Sequence, residues 1–490
     1  MDSLEAETSK RSVGASVWTF GGFAVMSGAR LANNLFLSYL LAPDLFGIMA
    51  IANIILQGVQ MCSDVGVGHC LIQNAKGDSP VFYNTAWTIQ LVRGVLIWTL
   101  LIAISGPIAS FYAEPQLRLI VVALGSTALI QSAASTEIHT AKRHLRIAWI
   151  TSLEVASQII GIIVMCALAY KYKSVWCLVF GAIVSASVFA ILSHLLSKTV
   201  KNRLTWNHES ACELIRFGKW ILIGMLLSFL AMQIDRLLLG KLGDFTQLGL
   251  YHFAFSLSLL ASTIVERLSN TVQFPILAAV ANSSSQNYSE RAIESRQSLL
   301  IIAMALLTLL FAAAPLIFNH LYHENFRDAG WITQLMCFPI WCLVLTKTID
   351  RALLAIGDTR SLAYLAFCRL IFCSTFSYIG YVTGGLQGFC VGVGVGSLTA
   401  HLCLYVPLRR CGIRILAQDI RFSLLAVLVA LIGLTVQNPS LVANLSPNVG
   451  DPALVGHCVA LALATVFAAA ISLQQWRVVV GRNGYTPATD

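Results

Sequence analysis

Basic and amide side chains interrupt several long apolar segments of this 490-residue chain. Arg30 and Asn34 are four residues apart and therefore share one face of a helix, and Arg93 lies near the middle of another apolar segment. A guanidinium group can donate two parallel hydrogen bonds and stays charged at any accessible pH. The two arginines are therefore candidates for binding a phosphate group, and Asn34 is a candidate for binding another polar part of the same ligand. Further candidates for binding phosphate are Arg236, Arg267 and Arg369.

Carboxylates in the same apolar segments are candidates for proton or ion coupling, because a buried carboxylate takes up a proton more readily than one in water. The four candidates are Asp64, Glu154, Asp235 and Glu266. Glu154 and Gln158 form a predicted i, i+4 polar pair, whereas Asp64 could simply neutralise charge near the inner end of its span. Asp235 and Glu266 each precede an arginine, but adjacent helical residues diverge, so the sequence predicts that their partners lie on other helices.

The composition excludes a soluble globular protein. Hydrophobic residues make up 57% of the chain and charged residues only 11%, against about 25% charged in soluble domains. The mean hydropathy is +0.75. The net charge of +9 is too dispersed to indicate a nucleic-acid partner. The thirteen cysteines include no Cys-x-x-Cys pair, so the sequence predicts no metal and no cofactor.

Hydropathy predicts an all-α polytopic membrane protein, since a membrane-crossing helix needs about 20 mostly apolar residues. We count about fourteen transmembrane helices. The predicted spans are 14–41, 45–69, 83–110, 118–139, 147–169, 174–196, 217–240, 248–275, 298–319, 330–350, 361–382, 384–407, 420–437 and 455–475. The eleventh and twelfth spans are separated only by the turn at Gly384 and Gly385.

The basic residues predict the orientation of these spans, because short cytoplasmic loops are enriched in Lys and Arg. With both termini in the cytoplasm of a bacterial cell, most of the 32 basic residues lie in inner loops, including Arg296 in the loop 276–297. The outer loops then hold only Arg118, Lys171, Lys173, Lys241 and Arg327. The sequence therefore predicts a multi-pass inner-membrane protein with both termini inside.

An internal repeat divides the chain. A shift of 202 residues aligns the first span with the seventh, so that Trp18 matches Trp220 and Gly47 matches Gly249. The same shift places the polar pair 33–34 on the charged pair 235–236. Since transporters are often built from duplicated halves, we expect an N-terminal six-helix lobe at 1–200 and a second at 201–410. Residues 411–490 would supply two additional helices and a cytoplasmic tail.

Several short segments are similar to a known family. Segments 34–47, 64–68, 141–146, 235–243 and 248–251 resemble, in order, motifs of bacterial oligosaccharide flippases of the polysaccharide-synthesis family. This family belongs to the multidrug/oligosaccharidyl-lipid/polysaccharide exporter superfamily. The resemblance implies alternating-access translocation of undecaprenyl-diphosphate-linked repeat units for surface polysaccharide, such as exopolysaccharide or lipopolysaccharide. It implies membrane lipids as surroundings and a polymerase or ligase of the same pathway as partners.

Two other functions compete with this interpretation. A cation-coupled multidrug exporter of the same superfamily would need an acidic, aromatic cavity, whereas the deeply placed charges here are mainly basic. A membrane polysaccharide polymerase or ligase would be expected to carry a long outer loop with catalytic residues. The sequence has no such loop, no catalytic triad and no glycine-rich phosphate loop, so we expect a transporter and not an enzyme. His401 is expected to be a hydrogen-bonded core residue.

Overall fold

The computed structural model describes residues 2–63, 67–195, 197, 200–282 and 288–437, together with 456–457, 459–460 and 462–465. In this part of the chain the structure is helical and contains no β-strand. The helices of the first half are α1 (Asp2–Ser38), α2 (Pro43–Cys62), α3 (Val67–Gln73), α4 (Pro80–Tyr112), α5 (Gln116–Ser132), α6 (Glu137–Arg143), α7 (Ile147–Tyr172), α8 (Trp176–Leu195) and α9 (His208–Leu242). Those that follow are α10 (Phe245–Leu268), α11 (Phe274–Asn282), α12 (Tyr288–Leu316), α13 (Ala329–Ala355), α14 (Thr359–Cys403), α15 (Tyr405–Arg410) and α16 (Leu416–Gln437).

Helices lie on every predicted span up to 420–437, which confirms the all-α polytopic fold. Among the described residues, nine helices are long and apolar enough to cross a membrane, or ten if the bent pair α5 and α6 is one span. Helices α1 and α9, which carry the first and seventh predicted spans, are not among these nine helices of the described part of the chain. The last predicted span, 455–475, lies largely outside the described residues.

The chain divides into two compact units, Met1–Gly249 and Leu250–Asp490. In the first unit, α4 packs on α5, α7 on α8 and α1 on α7, while α2 contacts both α5 and α9. In the second unit, α13 packs between α12 and α14, and α16 lies against α12. The lobe limits expected at residues 200 and 410 stay a prediction.

Helix α14 is a hairpin, as the sequence predicts. Its axis breaks at Gly384 and Gly385, where Gly385 adopts a φ of 57°, a conformation that glycine adopts without steric cost. The two arms then run back along each other in close contact. A Cβ atom on Gly380 would lie 2.1 Å from the carbonyl oxygen of Gly388, and one on Gly392 would lie 2.2 Å from that of Phe376. The glycines of this segment therefore allow two spans to pack backbone to backbone.

Two glycines that the 202-residue shift aligns, Gly47 and Gly249, are also in backbone contact. A Cβ atom on Gly47 would lie 2.1 Å from the carbonyl oxygen of Phe245, and one on Gly249 would lie 1.9 Å from that of Pro43. The same shift aligns Pro43 with Phe245, so the contact is reciprocal, as it is between segments related by a two-fold axis. This reciprocity supports the repeat that the sequence predicts.

We expect Gly47→Ala and Gly249→Ala each to lower the free energy of unfolding by about 1–3 kcal/mol, since the new methyl group would meet backbone atoms that cannot rotate away. The measurement is thermal unfolding of the purified protein in detergent. Gly28→Ala is the matched control, because its Cβ atom would meet nothing within 4 Å and alanine favours the helix. Equal melting temperatures for Gly47→Ala and the wild type would contradict the close contact.

Candidate functional site

A polar cavity of about 440 Å³ lies in the first unit between α2, α4 and α5. Its described lining residues are Gln57, Gln60, Met61, Gln90, Arg93, Gly94, Ile97, Ala128, Gln131 and Ser132. Four of these side chains are glutamines, and Arg93 is the one charged residue among them. A cavity of this composition can hydrogen-bond sugar hydroxyls and bind one anionic group.

Arg93 is half-buried in the middle of α4 and is held by α2 and the residue that follows it. Its Nε donates to Ser63 Oγ at 3.1 Å, and its Nη2 donates to the carbonyl oxygen of Gln60 at 2.8 Å. These two bonds fix the plane of the guanidinium group beside the cavity. The structure thus places one of the sequence-predicted phosphate ligands in a cavity that is large enough for a ligand.

The glutamines of this cavity were not singled out by the sequence analysis, which considered ionisable side chains first. Gln90 lies 3.2 Å from the Nε2 atom of His139, and the other three make no side-chain hydrogen bond that fixes them within the described residues. The sequence could have indicated these glutamines, because burying an amide side chain inside an apolar span costs free energy unless the amide faces protein or water.

Close packing of α4 on α5 fixes the wall of the cavity. A Cβ atom on Gly94 would lie 2.1 Å from Ser132 Oγ, so glycine is needed at this position for the two helices to approach. Two turns earlier on α4, Trp87 Nε1 donates to the carbonyl oxygen of Ala133 at 3.2 Å. Helix α4 therefore contacts α5 closely both before and after Arg93.

The predicted ligands on the first helix lie outside this cavity. Arg30 is exposed, and Asn34 is half-buried. Other residues of α1 contact α7. Asn33 Nδ2 lies 3.6 Å from Met165 Sδ. The carbonyl oxygen of Met26 accepts from Gln158 Nε2 at 3.1 Å. The structure does not bring Arg30 and Asn34 together with Arg93 among the lining residues.

The predicted pair of Glu154 and Gln158 is wrong. Gln158 binds the backbone of α1 instead, and within the described residues no hydrogen bond or ion pair is made by the Glu154 carboxylate. The i, i+4 spacing allowed the pair, but packing of α7 on α1 gave the amide a better partner. Asp64, the remaining candidate carboxylate of this half, lies outside the described residues.

Asp235 and Arg236 interact with each other, which the sequence analysis had excluded for neighbours on a helix. Arg236 Nε lies 3.9 Å from Asp235 Oδ1, a separation that allows charge attraction but no hydrogen bond. The long arginine side chain bends back along the helix, and its Nη2 lies 3.5 Å from the carbonyl oxygen of Met232. Divergent Cα–Cβ bonds therefore do not prevent two adjacent charges from meeting.

Glu266 has its partners on another helix, as the sequence predicts. Its Oε1 atom accepts from Lys347 Nζ at 3.3 Å and from Arg351 Nη2 at 3.0 Å, and both donors lie on α13. Arg267 and Arg369 are half-buried in the same unit. The structure thus places Glu266 in a charged cluster of the second unit.

Arg296 is not a loop residue, contrary to the prediction from the charge distribution. It lies in α12 with no exposed surface and forms an ion pair with Asp419 of α16. Its Nε donates to Thr348 Oγ1 at 2.9 Å and its Nη2 to the carbonyl oxygen of Leu345 at 2.8 Å. The charge is accommodated inside the protein because two helices, α13 and α16, supply acceptors for it.

Asp419 is the centre of this buried network. His401 Nε2 lies 3.1 Å from its Oδ2 atom, and the Tyr405 hydroxyl donates to the same oxygen at 2.5 Å. The other ring nitrogen of His401 lies 3.0 Å from Thr346 Oγ1. His401 is thus the hydrogen-bonded core residue that the sequence predicts, and the network joins α16 to α12, α13 and the end of α14.

An apolar cavity of about 480 Å³ lies in the second unit between α12, α13, α16 and the residues Ala460, Leu463 and Ala464. Leu307, Phe311 and Val427 are typical of its wall. Two of its few polar side chains bind other side chains, since Trp341 Nε1 donates to Ser423 Oγ at 3.0 Å and Gln334 Nε2 donates to Gln437 at 2.9 Å. The remaining surface suits hydrocarbon.

Within the described residues, no group of three or more His, Cys, Asp or Glu side chains is placed to hold a metal ion. Several ionisable residues form ion pairs, and Arg93 lines the polar cavity of the first unit. This arrangement can bind a polar anion and a hydrocarbon chain.

The sequence model of the polysaccharide biosynthesis protein family matches residues 36–330. The chain belongs to this family. One relative is the lipopolysaccharide biosynthesis protein WzxC of Escherichia coli K12, which is 19% identical over 403 residues, or 80% of this chain and 79% of that protein. The family membership and the helical spans make the chain a multi-pass membrane protein of a bacterial polysaccharide-synthesis family.

Two solved structures have a similar fold. The lipid II flippase MurJ in an inward closed conformation is 11% identical and has a TM-score of 0.70, covering 96% of this chain and all (100%) of that one. A multidrug resistance transporter of the MATE family in an inward-facing conformation is 16% identical with a TM-score of 0.57, covering 82% and 95%. The protein thus has the same fold as these two proteins.

Proposed function

We propose that the protein is a flippase that moves undecaprenyl-diphosphate-linked oligosaccharides across the bacterial inner membrane by alternating access. The sugar units would serve surface polysaccharide biosynthesis. The observation that carries this proposal is the cavity around Arg93, where one guanidinium group stands among four glutamine side chains. A diphosphate joined to a sugar presents this combination of charge and hydroxyl groups.

The lipid part of such a substrate needs a different environment, because a polyprenyl chain gains free energy only away from water. The apolar cavity of the second unit provides such an environment. Taken separately, the polar cavity of the first unit suits a charged sugar head group, and the apolar cavity of the second unit suits a hydrocarbon chain. Membrane lipids remain the surroundings of the exposed apolar residues.

The fold is also that of multidrug exporters, so a cation exporter is the main alternative. A binding site for an organic cation would be expected to include a carboxylate. None of the described residues that line the polar cavity is acidic, and its one charge is positive. This composition favours an anionic substrate.

The other sequence-predicted residues have proposed roles in the same transport cycle. Arg30, Asn34, Arg236 and Arg267 would meet the substrate in other conformations of the transport cycle, and Asp64, Glu154 and Asp235 would contribute to coupling. The protein would work as a transporter and not as an enzyme, with repeat-unit assembly upstream and a polymerase or ligase downstream. Both termini would lie in the cytoplasm.

The location of native lipid-linked intermediates tests the proposal in cells. We expect right-side-out membrane vesicles from producing cells to expose these sugars to impermeant periodate, which mass spectrometry of the extracted lipids detects. Vesicles from cells that lack the gene should protect most of the same sugars. Equal protection in both, together with efflux of a fluorescent organic cation only from producing cells, would favour the exporter.

A further inference from the structure

The charged cluster around Glu266 contains a second carboxylate, Asp350, that takes no part in the ion pairs of Glu266. Asp350 lies on α13, one turn after Lys347 and beside Arg351. Its Oδ1 atom is buried and has no hydrogen-bond partner within the described residues. Glu266, by contrast, already accepts from two cations. The sequence analysis did not select Asp350 as a site residue.

Two arginine nitrogens near this carboxylate also lack a hydrogen-bond partner among the described residues. The Nε atoms of Arg351 and of Arg369, on α14, are buried and have no partner in the described part of the chain. Lys347, Arg351, Glu266 and Arg369 all interact electrostatically with Asp350. Buried polar groups without partners cost free energy, and three in one cluster indicate a ligand that is held here.

The hydrogen-bonding capacity of these groups indicates the chemistry of the ligand. Each arginine Nε can only donate, so the ligand must bring acceptors. An ionised Asp350 would repel an anion, whereas a protonated Asp350 would add a third donor. Lys347, Arg351 and Arg369 exceed Glu266 and Asp350 by one positive charge, and a proton on Asp350 raises that excess to two. A diphosphate diester carries one negative charge on each phosphate and would balance it.

The cluster is open enough for such a ligand to enter. The side chains of Glu266, Lys347 and Arg351 are 33%, 27% and 19% exposed. Arg296 from α12 also packs against this part of α13, and it is bound to Thr348 and Asp419. The groups that determine proton binding at Asp350 are therefore Glu266 on α10, Lys347 and Arg351 on α13 and Arg369 on α14.

We propose that Asp350, Arg351 and Arg369 form a second diphosphate-binding site, and that a diphosphate binds there together with one proton on Asp350. The inference rests on the proposed function and specifies how that function would be coupled. A flippase with this site would take up a proton with each substrate in the second unit. Loss of this proton would then favour release of the diphosphate.

Calorimetric titration of the full-length protein in detergent tests this linkage. The probe is diethyl diphosphate, a diester that does not titrate between about pH 5 and pH 8. All proteins carry Arg93→Ala, which removes the cavity arginine of the first unit. Repeating the titration in buffers of different ionisation enthalpy gives the number of protons taken up per diester bound.

For the protein with Asp350 we expect proton uptake near neutral pH and an affinity that falls as the pH rises, by up to about tenfold per pH unit. Asp350→Asn keeps a donor without the charge, so we expect no proton uptake and an affinity that is independent of pH. Asp328→Asn is the matched control at the exposed start of α13, and it should behave like the protein with Asp350. Arg369→Gln should weaken binding by about tenfold or more.

The proposal is overturned if Asp350→Asn takes up as many protons as the control, or if the diester does not bind. If Asp350→Asn fails to fold, unchanged affinity in Arg369→Gln overturns it equally. These are equilibrium measurements in detergent and do not depend on translocation. Proton-linked binding without transport in vesicles would refute the flippase and leave the site supported, whereas transport without proton-linked binding would refute only the site.

Discussion

Replacing Arg93 by alanine is expected to reduce translocation of lipid-linked oligosaccharide by about 10- to 100-fold. The change removes the one charged group among the described residues of the polar cavity, and a hydrogen bond to a charged group contributes about 1.5–3 kcal/mol. Arg93→Lys keeps the charge but loses the planar pair of donors, so partial activity is expected. The measurement is periodate access in vesicles from cells that produce each variant.

Arg118→Ala is the matched control for this experiment. Arg118 belongs to the same unit, is exposed at the start of α5 and does not line the cavity. Vesicles with Arg118→Ala should match the wild type at equal amounts of protein in the membrane. Full activity of Arg93→Ala at wild-type abundance would contradict the assignment of the cavity.

Replacing Arg296 by methionine is expected to lower the free energy of unfolding by about 3–5 kcal/mol, as removal of one partner of a buried ion pair does. The change leaves the Asp419 carboxylate buried without its cation, while His401 and Tyr405 remain as its donors. Thermal unfolding in detergent measures the effect. Arg421→Met, at an exposed position of α16, should leave the melting temperature nearly unchanged.

A double variant separates the charge from the packing. Arg296→Met combined with Asp419→Leu removes both charges, so it should be more stable than Arg296→Met alone. If the double variant were less stable than the wild type by the sum of the two single-variant effects, the two residues would be independent. That outcome would contradict the ion pair as the source of the stability.

Most of the fold could be predicted from the sequence because the lipid environment imposes simple rules. A span must be long and apolar, and these features alone place helices on the predicted spans. The glycine pair at 384–385 predicts the hairpin in α14, because glycine tolerates the backbone conformations of a tight turn. The positive φ of Gly385 agrees with this prediction. The repeat register was also readable, and the reciprocal contact of Gly47 and Gly249 supports it.

Pairing between distant residues could not be read in the same way. Arg296 and Asp419 are 123 positions apart, and a charge near the end of an apolar segment is counted as a loop residue by any local rule. Gln158 illustrates the same limit, because its spacing from Glu154 fits a helical pair while its partner lies on α1. Tertiary packing decides which of several possible acceptors a buried donor meets.

The sequence predicts only part of the candidate site, because the site depends on tertiary packing as well as on the spans. The position of Arg93 inside an apolar span identified it without any structure, since such a charge must face protein or water. That Gln57 and Gln131 accompany it on α2 and α5 depends on how these helices cross. The sequence lists polar residues of spans, and only the packing selects those that share a cavity.

Translocation in proteoliposomes tests the central claim most directly. Purified protein is reconstituted with a short undecaprenyl-diphosphate oligosaccharide, and an impermeant enzyme that modifies the sugar reports its arrival at the opposite leaflet. The account predicts that the protein makes nearly all of the sugar accessible, while protein-free vesicles and vesicles with Arg93→Ala keep the sugar of the far leaflet protected. Equal protection with and without wild-type protein of confirmed fold would contradict a flippase.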